Sequence, residues 1–191
     1  MFAYRFIFFI FMKNFKMKIL PLFVFLISLT ACSQKDTTIN PIADDYEYEV
    51  ITDKAEVPWG FDFLPDQSIL ITDRSGQLFH HHNGKTTEIS GVPDVYAENQ
   101  GGLLDIKVHP EYPQQPWIYI SYSSTKGEND GAHTALARAE LSENQLVNLE
   151  VLYKASPNTE KGIHFGSRIE FDNDGYLYLT IGERGQRDVN P

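Results

Sequence analysis

The chain has 191 residues, 42% of them hydrophobic and 22% charged, a composition that suits a folded chain and excludes a disordered or fibrous one. Its formal charge is −10, and residues 1–31 hold four of the 16 basic residues and none of the 26 acids, so the remainder carries −14. A surface this acidic lacks the clustered Lys and Arg that phosphates demand, which excludes a nucleic-acid binder.

In chain order, the first segment places Arg5, Lys13, Lys16 and Lys18 ahead of an apolar run from Ile19 to Ala31, the charge-then-apolar order of an export signal. Its two apolar runs are each shorter than the roughly 18 to 20 residues of a membrane span, and Pro21 interrupts the second. Met12 and Met17 each begin a more conventional signal. The run ends in Leu29-Thr30-Ala31-Cys32, which resembles the lipobox of bacterial lipoproteins, with Cys32 as the lipid carrier. Cys32 is the only cysteine, so no disulfide competes for it. Residues 1–31 are therefore expected to be a lipoprotein signal peptide and 32–50 the lipidated cysteine and a polar tether. The expected location is the cell envelope on the periplasmic side, with the membrane contacted through the lipid alone.

From residue 57 onward one phrase returns three times: "GFDFLPDQSILIT" (60–72), "DIKVHPEYPQQPWIYIS" (105–121) and "RIEFDNDGYLYLT" (168–180). Each has two flanks alternating with period two around a centre of Pro, Asp, Asn or Gly, the pattern of a β-hairpin. Between them, "GQLFHHHNGKTTEIS" carries an Asn83-Gly84 turn signal, and "HTALARAEL" followed by "LVNLEVLYKA" supplies two more strands. No segment has a convincing amphipathic helical period. Aligned on Phe63, Val108 and Phe171, the hairpins recur at blade spacing, which predicts an all-β fold of the β-propeller type with about three blades. A β-sandwich also has short strands, but it does not predict the same hairpin at this spacing. A propeller needs at least four blades, so residues 51–191 are expected to be the amino-terminal half of a longer domain.

The inner strand of a propeller blade starts beside the central channel, so residues just before such strands converge. Gln100 in "NQGGLL" lies eight residues before Val108, and His164 in "GIHFGSR" lies seven before Phe171. The two are thus expected to meet, with Trp59 of "VPWGF" on the same rim. A histidine there accepts a proton near neutral pH, which suits alcohol oxidation.

The stretches "VPWGFDFLPDQSILIT", "NQGGLLDIKVHPEY", "IYISYS" and "HFGSRIEFDNDGYLYLTIGERGQ" resemble the glucose/sorbosone dehydrogenase family. That resemblance implies a six-bladed propeller using pyrroloquinoline quinone (PQQ) and Ca²⁺ to oxidise an aldose sugar at C1 to the lactone. It implies His164 as the general base and Gln100 as a residue of the cofactor pocket, with calcium ligands beyond residue 191. Ile163 departs from the family's acid or amide and cannot bond a sugar. Relatives with the same propeller also act as non-catalytic modules that bind a carbohydrate or a protein, which is the alternative reading.

Arg168, four residues after His164, is a candidate cofactor-binding cation; Glu170 or Glu140 are its expected partners if it is structural instead. Arg184 and Arg187 are rim candidates for which a solvated surface position is the simpler expectation. His80 and His82 share a strand face, but the adjacent turn makes 80–82 an exposed hairpin tip. "DNDG" at 172–175 puts Glu183 at the twelfth place of a calcium loop, yet Tyr176 replaces the required glycine, so a hairpin turn is expected. Asp62 and Asp105 read as satisfied carboxylates on inner strands, and His109 and His133 show no partners suggesting chemistry.

Overall fold

A computed structural model describes residues 49–188, and every regular element among them is a strand. The expectations for the signal segment, for Cys32 and for most of the tether lie outside those residues. The first antiparallel sheet has four strands in sequence order: β1 (Pro58–Phe63), β2 (Ile69–Asp73), β3 (Leu78–His82) and β4 (Lys85–Ile89). The second repeats that order with β5 (Leu103–Val108), β6 (Trp117–Ser124), β7 (His133–Ser142) and β8 (Gln145–Lys154). The third pairs β9 (Gly166–Phe171) with β10 (Leu177–Ile181). These are successive blades of an all-β propeller, with the recurring hairpin as the inner pair of each.

Local chemistry explains the turns. Asn83 and Gly84 take φ of 50° and 73°, the left-handed pair that a two-residue hairpin between β3 and β4 requires. In the turn after β1, the Asp66 carboxylate accepts the Ser68 N–H and hydroxyl at 3.0 and 2.6 Å. The Asp172 carboxylate does the same after β9, accepting the N–H groups of Asp174 and Tyr176. The "DNDG" stretch is thus a hairpin turn.

Apolar residues alternating along these strands close the sheets on one another. Leu70, Leu78 and Ile89 of the first sheet pack on Leu103, Ile106, Ile118 and Ile120 of the second, and Tyr119 and Leu136 of the second meet Ile169 of the third. Full burial of each such Leu or Ile stabilises the fold by about 1.5–3 kcal/mol.

A polar device repeats beside that core. Each inner hairpin carries an irregularity in its register, and a hydroxyl fills it: Gly60 N–H donates to Thr72 Oγ1, Asp105 N–H to Ser121 Oγ and Arg168 N–H to Thr180 Oγ1, all at 2.9 Å. Thr72 then donates to the Leu104 carbonyl at 2.5 Å and Ser121 to the Ser167 carbonyl at 2.6 Å. Two carboxylates add parallel links, Asp62 accepting Val108 N–H at 2.8 Å and Asp105 accepting Ile169 N–H at 2.7 Å. These bonds tie successive inner strands side by side, so their starting ends face one place.

Between β8 and β9 the chain returns along the start of β7. Thr159 and Ala132 exchange N–H···O bonds at 3.0 Å, and Thr134 Oγ1 donates to the Phe165 carbonyl at 2.8 Å. His133, only 1% exposed, is part of this return. Asn158 Nδ2 donates to the carbonyls of Thr125, Asn129 and Gly131, which turns its Oδ1 toward His133 Nδ1 at 2.6 Å. His133 must therefore donate from Nδ1, and its Nε2 is buried without a partner. Burial pushes this imidazole below its ordinary value of 6.5, outweighing the opposing bond to Asn158. The neutral ring belongs to the folded state, so its contribution is complete above pH 6.5 and is lost as pH falls from there through the lowered folded value. We expect the melting temperature to drop between about pH 7.5 and 5, by at most about 1.4 kcal/mol of stability per pH unit from this group. The fall should be shallower in His133→Gln; parallel curves would remove the assignment.

Candidate functional site

The starts of β1, β5 and β9 open into a cavity of about 390 Å³ lined by Trp59, Arg74, Asn99, Gln100, Leu104, His164, Phe165 and Gly166. Its residues come from all three sheets, the convergence that the repeat alignment implies. A larger concavity, about 1,070 Å³, lies at the other ends of the same strands, among the turns that follow Phe63, Val108 and Phe171. It shares no lining residue with the first; Asp62, His109, Glu170 and the 172–175 turn line it, while Gln100, His164 and Arg168 do not.

Gln100 and His164 are joined directly. Gln100 donates its N–H to the Gly162 carbonyl at 3.0 Å, and its side-chain Oε1 accepts the His164 N–H at 2.8 Å. His164 has φ of 55°, a left-handed conformation that ordinary residues keep only where the surroundings fix it. On its other side, the His164 carbonyl accepts the Arg184 N–H at 3.2 Å and packs against Gly182, where any Cβ would collide with it. The imidazole is half exposed, while its main chain is held from both flanks.

The side chain is oriented by a residue that the sequence reading placed elsewhere. His164 Nδ1 lies 2.6 Å from Glu183 Oε1, and the second Glu183 oxygen accepts the Gly185 N–H. The bond from His164 holds the Glu183 carboxyl below its ordinary range, with the Gly185 N–H and Arg187, 3.7 Å away, pulling the same way. A carboxylate cannot donate, so the hydrogen of this bond sits on His164 Nδ1, and in the neutral ring Nε2 is then the acceptor. This is the geometry of a base with an orienting partner.

Arg168 stands apart from this pair. Its guanidinium donates from Nη1 to Asp105 Oδ1 at 2.8 Å and lies over the Trp59 ring, 4.7 Å from the centroid. The partner is Asp105 and neither Glu170 nor Glu140: Glu170 takes Lys107 at 3.1 Å, and Glu140 accepts from Asn148. Asp105 is 3% exposed, and burial pushes its carboxyl above the ordinary range despite the Ile169 N–H and Arg168. Arg168 reaches the cavity only by way of Trp59.

Two other expectations are corrected. Arg184 is buried, its Nη1 donating to the Gly182 carbonyl at 2.8 Å, because the segment after β10 folds back under His164. His80 and His81 are partly buried and bonded to Ser68 Oγ and Thr86 Oγ1, each at 2.8 Å, leaving only His82 at the exposed tip. Arg74, which the sequence did not single out, is a cation of the cavity wall. Among the described residues no group of three or more His, Cys, Asp or Glu is placed to hold a metal.

The sequence profile of the Glucose / Sorbosone dehydrogenase family matches residues 55–190. The chain is 41% identical over 144 residues to the Aldose sugar dehydrogenase YliI of Escherichia coli (strain K12), covering 73% of this chain and 38% of that protein. It is 23% identical over 184 residues to Quinoprotein glucose dehydrogenase B of Acinetobacter calcoaceticus, covering 86% and 37%. Among solved structures it is similar to the soluble Aldose sugar dehydrogenase from Escherichia coli in the apo-form, with a TM-score of 0.69 and 40% identity over 73% of this chain and 41% of that one. The PQQ-bound form of Aldose Sugar Dehydrogenase from Streptomyces coelicolor gives a TM-score of 0.63 and 28% identity, covering 73% and 42%. The chain thus spans about two-fifths of the length of these relatives.

Proposed function

This chain belongs to the glucose/sorbosone dehydrogenase family, and from that premise we propose that the protein oxidises aldose sugars at C1 to the lactone, with PQQ as oxidant and His164 as general base. The observation that carries the reading is the pairing of His164 with Glu183 at 2.6 Å on the wall of a cavity wide enough for a sugar ring. In the neutral ring, Nε2 of His164 accepts the proton of the C1 hydroxyl as the C1 hydrogen leaves with its electron pair, so the alcohol becomes a carbonyl. Positioned proton transfer of this kind contributes about 10² to 10⁴ in rate.

The residues present suit an anionic, planar quinone. Trp59 and Phe165 supply flat apolar surface, and Arg74 places positive charge on the wall of a strongly acidic protein. Arg168, over the Trp59 ring, adds charge at one remove. When bound there, PQQ would supply the two-electron acceptor for the hydride. Among the described residues no cluster is fit for Ca²⁺.

The test is reconstitution of the full-length protein with PQQ and Ca²⁺, followed by aldose-dependent bleaching of an artificial electron-accepting dye. Turnover that requires both sugar and quinone is the expected result. Sugar binding with no dye reduction at any quinone concentration would replace this reading with the non-catalytic one.

A further inference from the structure

Arg74 lines the cavity beside His164, yet its guanidinium is engaged with main chain. Nη1 donates to the carbonyl of Asn99 and, at 3.4 Å, to that of Gly101, the two carbonyls that flank Gln100. The backbone of Arg74 grips the same loop independently. Its carbonyl accepts the Leu103 N–H at 3.3 Å, and Gly102, at φ of 146°, lies against that carbonyl so closely that a Cβ there would collide with it. Arg74 therefore fixes both the middle and the end of segment 99–103. Gln100 in turn holds the residues on either side of Ile163, through the Gly162 carbonyl and the His164 N–H.

We propose that Arg74 is a positioning residue of this site: by bridging the carbonyls on either side of Gln100 it sets the Gln100 amide, which holds His164 in its left-handed conformation and aims the imidazole. Its catalytic consequence rests on the reading of His164 as proton acceptor; its structural content does not. The handover crosses all three sheets, from the residue after β2 to the loop before β5 to the loop before β9. The charge of Arg74 on the cavity wall is a separate contribution, and lysine separates it from positioning. Lysine keeps the charge, but its nitrogen ends one bond short of Nη1 and lacks the planar terminus that meets both carbonyls.

The experiment is amide hydrogen exchange on the full-length protein without cofactor, paired with kinetics after PQQ loading. In Arg74→Met and Arg74→Lys alike, the His164 and Gln100 amides should exchange about 10-fold faster or more, while the amide of Ile120 in the second sheet stays protected and reports an intact fold. On loading, kcat should fall in both variants with little change in the sugar KM. A fully protected His164 amide in Arg74→Met, or wild-type behaviour of Arg74→Lys in both readouts, would overturn the proposal. Should His164→Ala leave turnover intact while Arg74→Met still exposes the His164 amide, the positioning stands and the proposed reaction fails.

Discussion

Replacing His164 with alanine is expected to lower aldose turnover of the PQQ-loaded protein by about 10² to 10⁴, the full contribution of a positioned base. The loss should appear in kcat. The ring contributes one face of a cavity that Trp59, Leu104 and Phe165 also line, so apolar contact with a bound ligand survives the truncation. Quinone binding, followed by absorbance titration, should change little, because the positive charge on the wall belongs to Arg74 and not to the half-exposed imidazole. The fold should hold as well, since the Gln100 and Arg184 bonds at position 164 use its N–H and carbonyl, which alanine retains. Alanine at φ of 55° costs roughly 1–2 kcal/mol in any case, as histidine does, so melting temperatures should stay close. Undiminished kcat in a folded, quinone-binding His164→Ala would remove the base assignment outright.

The fold and one half of the site were legible before any coordinates. Period-two alternation on either side of "LPDQS" and "DNDG" identifies β1, β2, β9 and β10, and Asn83-Gly84 identifies the β3–β4 turn, because these signals are local. The meeting of Gln100 and His164 follows from topology: both precede an inner strand by nearly the same number of residues. Glu183 was weighed only as a place in a calcium loop and Arg74 not at all, though the same topology contains both. In an antiparallel hairpin the second strand ends beside the start of the first, so residues just after β2 and β10 reach the same cavity as those just before β5 and β9. Arg74 is one residue past β2 and Glu183 two past β10. Counting forward from the second strands, as well as backward from the first, would have found them. The partner of Arg168 was beyond reach for a different reason: Asp105 lies on another sheet, and only the lateral packing of inner strands brings it within 2.8 Å.

Glu183→Gln should cost about 10²-fold in kcat, nearly as much as Glu183→Ala, even though glutamine has almost the shape of glutamate. The carboxylate can only accept, which places a proton of His164 on Nδ1 and makes Nε2 the unprotonated nitrogen of the neutral ring. A carboxamide can turn its NH₂ toward Nδ1, and the imidazole then carries its proton on Nε2, the nitrogen that has to receive one. The error is one of tautomer and not of position, and the penalty for the wrong tautomer at an oriented histidine is large. Nitrogen shifts of the labelled imidazole should therefore exchange their Nδ1 and Nε2 character in the Gln variant, with the Gly185 N–H losing its charged acceptor as well. The sign of the acid response follows from the same bond. The Glu183 carboxyl is held below its ordinary 4.5, so the pairing is complete above that value and is lost only as pH falls through the lowered folded value. Across the neutral range Glu183 stays ionised, and turnover should show no inflection from it above pH 4.5. A Glu183→Gln protein with wild-type kcat and unchanged imidazole shifts would mean that the 2.6 Å contact does not set the tautomer, and the case for His164 as a prepared base would lose its support.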